Sequence, residues 1–224
     1  MRDFLGELFF GGACYVCRGQ ARGTLCAGCL AELPRLAGEL CPRCALPSPG
    51  AALCGRCLAE PPDYDATLAA LAYDFPADAL IHALKFRGEL ALAPFLGKLL
   101  SETIRPGEKI DCVIPVPLSA ARLRERGYNQ AVEIARQLMP AKMDFSSCVR
   151  ERDAAPQMDL PWAERRRNVR GAFTCTRLLA GKTVAVVDDV MTTGATLDEM
   201  ARTLKRAGAA RVVNWVVART LPPA

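Results

Sequence analysis

The stretch VAVVDDVMTTGAT, from Val184 to Thr196, decides the fold of this chain. Four apolar residues precede two adjacent carboxylates, Asp188 and Asp189, and a short hydroxyl-rich segment around Gly194 follows. An uninterrupted apolar run of this kind is typical of a strand that is buried on both faces of a parallel sheet. Ligands of such sheets bind at the carboxyl ends of the strands. The stretch therefore predicts an acidic site at a strand end, followed by a turn into a helix.

The turn that follows the two acids has the composition of a phosphate-binding loop. Its residues are Thr192, Thr193, Gly194, Ala195 and Thr196. Backbone N–H groups, hydroxyls and a helix N-terminus can converge there on one anion. We also expect a capping box, T-x-x-E, in which Thr196 and Glu199 cap the helix. The box alone would explain neither the paired carboxylates nor the other threonines.

Alternating strand and helix patterns surround this stretch. Strands are predicted at 67–75, 111–116, 183–187 and 211–217, and helices at 77–86, 90–104, 129–138 and 196–207. This alternation indicates an α/β fold with a parallel sheet and helices on both faces. The arginine-rich stretch from 139 to 176 has weak periodicity and is interpreted as a hairpin or flap over the rest of the domain, a hood formed by about residues 140–176. A solvated surface insertion is the alternative.

Length and composition exclude several classes of protein. The chain has 224 residues, 51% hydrophobic and 24% charged, which fits one full domain with an appendage and excludes a repeat array or a disordered chain. No apolar run reaches the roughly 18 residues of a membrane span, and the N-terminal stretch lacks the basic segment of a signal peptide. We therefore expect a cytoplasmic protein. The single histidine, His82, lies in a helical pattern and argues against a Ser-His-Asp hydrolase.

Eight of the eleven cysteines form four CxxC pairs near the N-terminus. They are Cys14, Cys17, Cys26, Cys29, Cys41, Cys44, Cys54 and Cys57. Paired thiolates at this spacing suit tetrahedral zinc, and without a secretory signal this reading is favoured over a disulfide framework or a redox dithiol. Sequential pairing, with 8 and 9 residues between the two pairs of each site, is favoured. Interleaved pairing, with gaps of 23 and 24 residues, is left open.

Two structural zinc ions are therefore expected, because four sulfur ligands leave no coordination position for a substrate. We place a double zinc ribbon at 1–60 and a second unit at 61–224, with the boundary at Pro61-Pro62. The isolated Cys112, Cys148 and Cys175 are assigned no role.

Charge is informative only locally. The formal charge is +5, but each four-thiolate zinc site carries −2, so two sites would reduce it to about +1. The segment from Arg122 to Arg177 contains twelve basic and seven acidic residues. This band, rather than the overall charge, is the candidate surface for nucleic acid.

The stretch from Val184 to Thr196 resembles the signature with which type I phosphoribosyltransferases bind 5-phosphoribosyl 1-pyrophosphate (PRPP). The resemblance implies that Asp188 and Asp189 hold the ribose hydroxyls and that the segment from Thr192 to Thr196 holds the 5′-phosphate. It also implies that Mg²⁺ accompanies PRPP. Purine-salvage members carry an acid at the position of Thr192; threonine cannot take a proton from a base, so a purine acceptor is not indicated.

Three further features are similar to the ComF family of competence-associated, phosphoribosyltransferase-like proteins. They are the segments IPVPLSAARLRERGYNQA (114–131) and PQMDLPWAERRRNVRGAF (156–173) and the double zinc ribbon. The resemblance implies a type I phosphoribosyltransferase-like sheet and a hood that includes 157–173. It further implies that the polar loop from Pro117 to Gly127 binds the pyrophosphate of PRPP, with Arg122, Arg124 and Arg126 as candidate cations.

Two functions of different classes follow from these features. One is an enzyme, with no catalytic residue assigned, that transfers ribose 5-phosphate from PRPP to an unidentified nitrogen nucleophile. The other is a non-catalytic, PRPP-responsive protein that binds single-stranded DNA during DNA uptake, as the ComF resemblance implies. Contact with the DNA-uptake machinery and a homodimer are left open.

Overall fold

Four parallel strands form the central sheet of the protein. The structure is a computed structural model, and it describes residues 12–105, 107–139, 142–152 and 169–222. The strands are β1 (Gly12–Ala13), β2 (Gln20–Ala21), β3 (Ala66–Ala72), β4 (Cys112–Pro115), β5 (Cys148–Arg150), β6 (Phe173–Cys175), β7 (Thr183–Met191) and β8 (Arg211–Arg219). The helices are α1 (Ala27–Ala31), α2 (Gly55–Ala59), α3 (Ala77–Phe86), α4 (Leu92–Ser101), α5 (Ala120–Arg126), α6 (Gln130–Ala135) and α7 (Ala195–Arg206).

The central sheet has the strand order β3-β8-β7-β4. All three of its strand pairs are parallel, as the alternating pattern predicts. The strand β7 is longer than the sequence suggests, because its pairing with β8 continues to Met191 opposite Arg219. On its other side β4 stops at Pro115, opposite Val187. Asp188 is thus the first residue of β7 that β4 no longer covers, and this gap opens the candidate site.

Helices cover both faces of the sheet, which confirms the predicted α/β architecture. One core combines Leu80, Ile81 and Leu84 of α3 with buried side chains of α4, α6 and the sheet, including Trp215. The other core joins Leu197, Met200 and Leu204 of α7 to Val184, Val186 and Val216. Apolar side chains on both sides of β7 and β8 explain why these strands read as continuous apolar runs.

The cysteine-rich segment packs against both faces around the edge strand β3. Cys14 and Leu33 belong to the same core as α3, whereas Cys41 and Cys57 belong to the same core as α7. The connection between the two halves runs along β3: Leu36 N donates to Ala70 O at 3.1 Å, and Ala72 N donates to Pro34 O at 2.7 Å. These bonds occupy backbone groups of an edge strand that would otherwise face solvent.

Two local expectations are wrong. The polar segment expected as a loop from Pro117 to Gly127 is largely the helix α5, because the Ser119 side chain accepts from Arg122 N and Gly127 ends the helix at φ 81°. The capping box does not form either. The helix α7 begins after Gly194, without a side-chain cap, and Glu199 accepts instead from Gly171 N at 2.8 Å.

A two-stranded antiparallel hairpin, β5 with β6, lies in the stretch interpreted as a hood. Asp144 fixes its start by accepting from Ser147 N at 2.9 Å and from Arg177 Nη1 at 2.8 Å. Residues 153–168, which include Gln157 and the arginines at 165–167, lie outside the described residues. In the part of the chain that the structure describes, no helix is both long and apolar enough to cross a membrane.

Candidate functional site

Two adjacent carboxylates lie near the end of β7, where the sequence places them. Asp188 is half-buried, and Asp189 is only 2% exposed. Asp189 N donates to Asp188 Oδ1 at 2.9 Å, and Val190 N donates to Asp189 Oδ1 at 2.7 Å. Each carboxylate is thereby oriented by the backbone that follows it.

Lys85 of α3 supplies the cation for this pair. Its Nζ lies 2.9 Å from Asp189 Oδ2. Burial and the neighbouring charge of Asp189 raise the pKa of Asp188 to about 8, although Lys85 opposes the shift. Burial lowers the pKa of Lys85, but the charges of Asp189 and Asp188 outweigh it, so the net shift is upward. The site therefore combines a cation that stays charged with a carboxyl that titrates near neutral pH.

The segment from Thr192 to Thr196 forms a turn that leads into α7. Gly194 is left-handed, at φ 84°, and Ala195 N donates to Thr193 Oγ1 at 3.4 Å. The first turn of a helix has N–H groups without acceptors inside the helix, and its dipole favours negative charge there. Thr192 is exposed and Thr193 half-buried. This arrangement can bind an anion.

A side chain at Gly194 would crowd two neighbouring side chains. A Cβ there would lie 2.7 Å from Met191 Cε and 3.1 Å from Tyr64 Oη. The positive φ of Gly194 adds a second reason for glycine, because residues with a Cβ are strained in this region.

The three candidate arginines lie on α5 rather than on a flexible loop. Arg122 and Arg126 are half-buried and Arg124 is exposed. Arg126 Nη1 donates to Gln130 Oε1, and its guanidinium lies 5.3 Å from the centre of the Phe86 ring. What remains a loop after β4 is the short stretch 116–119, where Asn129 Nδ2 donates to Val116 O at 2.9 Å.

The cysteines form two tetrads with sequential pairing, as favoured from the spacing. One contains Cys14, Cys17, Cys26 and Cys29, and the other contains Cys41, Cys44, Cys54 and Cys57. Sulfur atoms lie 3.7 Å apart at Cys17 and Cys26 and 3.5 Å apart at Cys44 and Cys54. Tetrahedral zinc with bonds of about 2.3 Å places its sulfurs about 3.8 Å apart, and a disulfide would require about 2 Å. Both tetrads fit a zinc ion.

Lys85 is the site residue that the sequence reasoning missed. It lies in the pattern ALIHALKF, one turn after Ile81, whose side chain is fully buried. A lysine on the apolar face of a helix needs an anionic partner when it is buried. The position of Lys85 in the apolar pattern is therefore the sequence signal for a buried ion pair. The sequence does not show which acid is the partner of Lys85.

Comparison with known proteins agrees with the fold and with the cysteine tetrads. Residues 93–220 match the phosphoribosyl transferase domain family, and residues 5–58 match the double zinc ribbon domain. The chain therefore belongs to the phosphoribosyltransferase-like proteins that carry an N-terminal double zinc ribbon, the ComF family.

Similar proteins cover nearly the whole chain. DNA utilization protein YhgH of Escherichia coli (strain K12) is 34% identical over 94% of this chain and 98% of its own. Competence protein F of Haemophilus influenzae is 31% identical over the same shares. Competence protein ComFC of Bacillus subtilis is 27% identical over 85% of this chain and 81% of its own.

Proposed function

We propose that the protein binds PRPP with Mg²⁺ at the ends of β4 and β7. The observation that carries this proposal is the position of Asp188 and Asp189, beside an anion-binding turn and past the end of β4. Carboxylates suit a vicinal diol, and the turn suits a phosphate. The turn begins at Thr192, directly after the last residue of β7, so the acidic pair and the turn lie at the same end of the sheet.

The ribose would be held by the acidic pair. Asp189 pairs with Lys85. Asp188 is the half-buried carboxyl of the two, at the first position of β7 past the end of β4. Because burial raises the pKa of Asp188 to about 8, this carboxyl can donate or accept a hydrogen bond near neutral pH. Hydroxyl donors from a ribose stabilise its charged form and would lower its pKa.

The 5′-phosphate would bind at the turn from Thr192 to Thr196. Backbone N–H groups in the first turn of α7 and the hydroxyls of Thr192, Thr193 and Thr196 could donate to it. The pyrophosphate would lie toward residues 116–119 and the start of α5. The half-buried Arg122, in the first turn of α5, is the first candidate for the cation that binds it. Arg124 and Arg126 remain candidates for the same role.

The chemistry that such a site can perform is transfer of ribose 5-phosphate. The bond between C1 and the pyrophosphate breaks through an oxocarbenium-like state, so stabilisation of the departing charge dominates. Mg²⁺ would neutralise the pyrophosphate oxygens. The chain would hold the ribose through Asp188 and Asp189 and fix the phosphate at the turn. It would need no covalent nucleophile.

A melting experiment tests PRPP binding. PRPP with Mg²⁺ should raise the Tm of the zinc-loaded protein, since a ligand that binds only the folded state stabilises it. Ribose 5-phosphate and pyrophosphate, each carrying part of the ligand, should raise it less. Glu32→Gln removes an exposed acid outside the acidic pair, and this variant should show the same PRPP-dependent rise in Tm as wild type. Equal shifts with PRPP and with pyrophosphate alone would contradict a role for the ribose pair.

Catalysis is tested separately. Isotopically labelled PRPP is incubated with a panel of nucleobases, amines and single-stranded DNA, and label in a product other than ribose 5-phosphate identifies the acceptor. With Thr192 in the turn, purine bases are not the expected acceptors. If PRPP binds but no member of the panel is labelled, the binding function is favoured over the enzyme.

The second candidate function is the handling of single-stranded DNA during DNA uptake. It is favoured by the names of the relatives, a DNA utilization protein and two competence proteins, and by the basic band from Arg122 to Arg177. Affinity for single strands should fall with salt, by about 0.7 in log K per log salt for each phosphate contacted. Replacing Arg165, Arg166 and Arg167 by alanine should lower that slope, whereas Asp188→Asn should not.

A further inference from the structure

The turn from Thr192 to Thr196 is joined to the second cysteine tetrad (Cys41, Cys44, Cys54 and Cys57) through Arg219. This arginine, the last residue of β8, is 1% exposed. Its Nε donates to Cys44 O at 2.9 Å, and its Nη1 donates to Met191 O at 2.8 Å and to Thr192 O. One buried guanidinium thus binds a ligand residue of the tetrad and the first residue of the turn.

The charge of Arg219 is balanced in an unusual way. Its guanidinium donates to four backbone carbonyls, those of Cys44, Met191, Thr192 and Thr220. Four thiolates around zinc carry a net charge of −2, so a loaded tetrad supplies the anion that this buried cation requires.

A second contact joins the other half of the same tetrad to the turn. Arg56 lies between Cys54 and Cys57 on α2, and its Nη2 donates to Thr193 O. Metal binding at Cys54 and Cys57 fixes the backbone on both sides of Arg56. The two CxxC pairs of the second tetrad therefore each hold one residue of the turn, Thr192 and Thr193.

Packed side chains also adjoin these two contacts. Cys44 and Cys57 of the tetrad share a core with Tyr64 and with Met191, the residue before the turn. A cavity of about 630 Å³, whose lining includes Leu46, Ala59, Thr192 and Thr193, lies beside them. The hydrogen bonds of Arg219 and Arg56 are the polar part of this connection, and they can transmit a change at the tetrad to the turn.

The first tetrad consists of Cys14, Cys17, Cys26 and Cys29. Within the described ranges, no hydrogen bond or ion pair joins residues 12–32 to the turn. Cys14 packs in the core on the opposite face of the sheet. The chain therefore contains its own control: two tetrads of the same composition, of which one contacts the turn.

We infer that metal binding at the second tetrad and anion binding at the turn from Thr192 to Thr196 are coupled, with Arg219 and Arg56 as positioning residues. The zinc-loaded tetrad holds the turn in the shape that presents its N–H groups, and loss or oxidation of the second tetrad releases it. Coupling is reciprocal, so an anion at the turn strengthens metal binding at the second tetrad by the same factor. The statement that a ligand at the turn strengthens metal binding rests on the proposed function and is the ligand half of the inference. The statement that the metal-loaded tetrad holds the turn in shape is the structural half, and it does not depend on that function.

Hydrogen exchange tests the structural half without any ligand. The full chain is compared with Cys54→Ser/Cys57→Ser, which removes one pair of the second tetrad, and with Cys26→Ser/Cys29→Ser, the matching pair of the first. Metal analysis confirms that each variant retains one zinc ion. We expect amide exchange at 191–196 to rise about fivefold or more in the first variant and to stay unchanged in the second. Equal exchange in the two variants would overturn the coupling.

A milder variant covers the case in which loss of the second tetrad unfolds the protein. Arg56→Ala keeps all eight tetrad cysteines. It removes the hydrogen bond that the exposed Arg56 donates to Thr193 O and leaves the buried Arg219 in place. Both zinc ions should be retained while exchange at 192–194 rises. Unchanged exchange with both ions bound would also overturn the inference.

Reciprocity is tested with PRPP and Mg²⁺ and with inorganic phosphate as probes. The cysteines are alkylated during slow metal loss and read by mass spectrometry. PRPP should slow alkylation of the second tetrad about fivefold or more and leave the first unaffected; equal protection of both would contradict the coupling. A purely structural role of the zinc ions would not produce this difference. If PRPP does not bind, the proposed function fails, whereas the exchange comparison still upholds or overturns the coupling.

Discussion

Lys85 Nζ lies 2.9 Å from Asp189 Oδ2 and joins two elements that are far apart in the chain. Lys85 is near the end of α3, which follows the edge strand β3, whereas Asp189 is on β7, with β8 between these strands. The lysine side chain is 23% exposed and the aspartate side chain 2%. The ion pair thus ties α3 to the acidic end of β7 and sets the charge of the candidate ribose site.

Replacing Lys85 by glutamine should destabilise the protein. Removing one partner leaves a buried carboxylate without its cation, and with a partly exposed lysine we expect a loss of about 1–3 kcal/mol. In a chain of this length the Tm should fall by about 2–4 °C for each kcal/mol.

The double variant Lys85→Gln/Asp189→Asn shows how much of the lost stability comes from the ion pair and how much from other contacts of Lys85. Because both charges are removed, it should be more stable than Lys85→Gln alone. The exposed Lys98→Gln, on α4, is the control and should leave the Tm unchanged. A Lys85→Gln protein that melts like wild type would show that the contact carries no energy.

Asp188→Asn should stabilise the protein at alkaline pH. The pKa of Asp188 is raised to about 8 from its ordinary value of 3.8, so the folded state holds a proton that the unfolded state has lost between these values. Stability therefore falls as pH rises from about 4 to about 8. The variant lacks this titration, so its Tm relative to that of wild type should rise between pH 5 and pH 8. If the difference in Tm between variant and wild type is the same at every pH from 5 to 9, the raised pKa is contradicted.

Gly194→Ala should disrupt the turn more than the same change at a glycine of similar backbone conformation elsewhere. Gly107 has φ 85°, and a Cβ added there would have open space within 4 Å, whereas a Cβ at Gly194 meets Met191 and Tyr64. We expect about 1 kcal/mol of strain for Gly107→Ala and about 2–3 kcal/mol for Gly194→Ala. The PRPP-dependent rise in Tm should be retained in the first variant and lost in the second; its retention in both would argue against the turn as the phosphate site.

The sequence predicted those features that depend on local pattern. The helix from Ala77 to Phe86 has the predicted bounds, the apolar run before Asp188 is the predicted strand, and the cysteine spacing led to the sequential tetrads. These features follow from periodicity or from the reach of adjacent ligands.

What was missed depends on contacts between distant segments or on competing local signals. The helix α5 was missed because its arginines hide any apolar periodicity, although Ser119 and Gly127 are ordinary helix boundaries. The capping box failed because Glu199 binds Gly171 N and pairs with Arg202 at 3.0 Å. Neither the ion pair of Lys85 nor the contacts of Arg219 has a local signature, since each partner is remote in sequence.

The two tetrads should each hold one zinc ion. Metal analysis of protein purified without chelator should give about two zinc ions per chain, and chelation should lower the Tm because the cysteine-rich segment contributes to both cores. One ion per chain would show that only one tetrad binds metal. Protein without zinc, with the eight tetrad cysteines oxidised, would contradict the zinc assignment.

Direct titration of PRPP with Mg²⁺ into zinc-loaded protein, followed by calorimetry, tests the central claim. We expect one PRPP per chain for wild type. For Asp188→Asn/Asp189→Asn, with two zinc ions retained, binding should weaken by about 100-fold or more, because charged hydrogen bonds contribute about 1.5–3 kcal/mol each and two are lost. Equal affinity in the double variant, or no binding by wild-type protein with both zinc ions in place, would contradict PRPP binding at the end of β7.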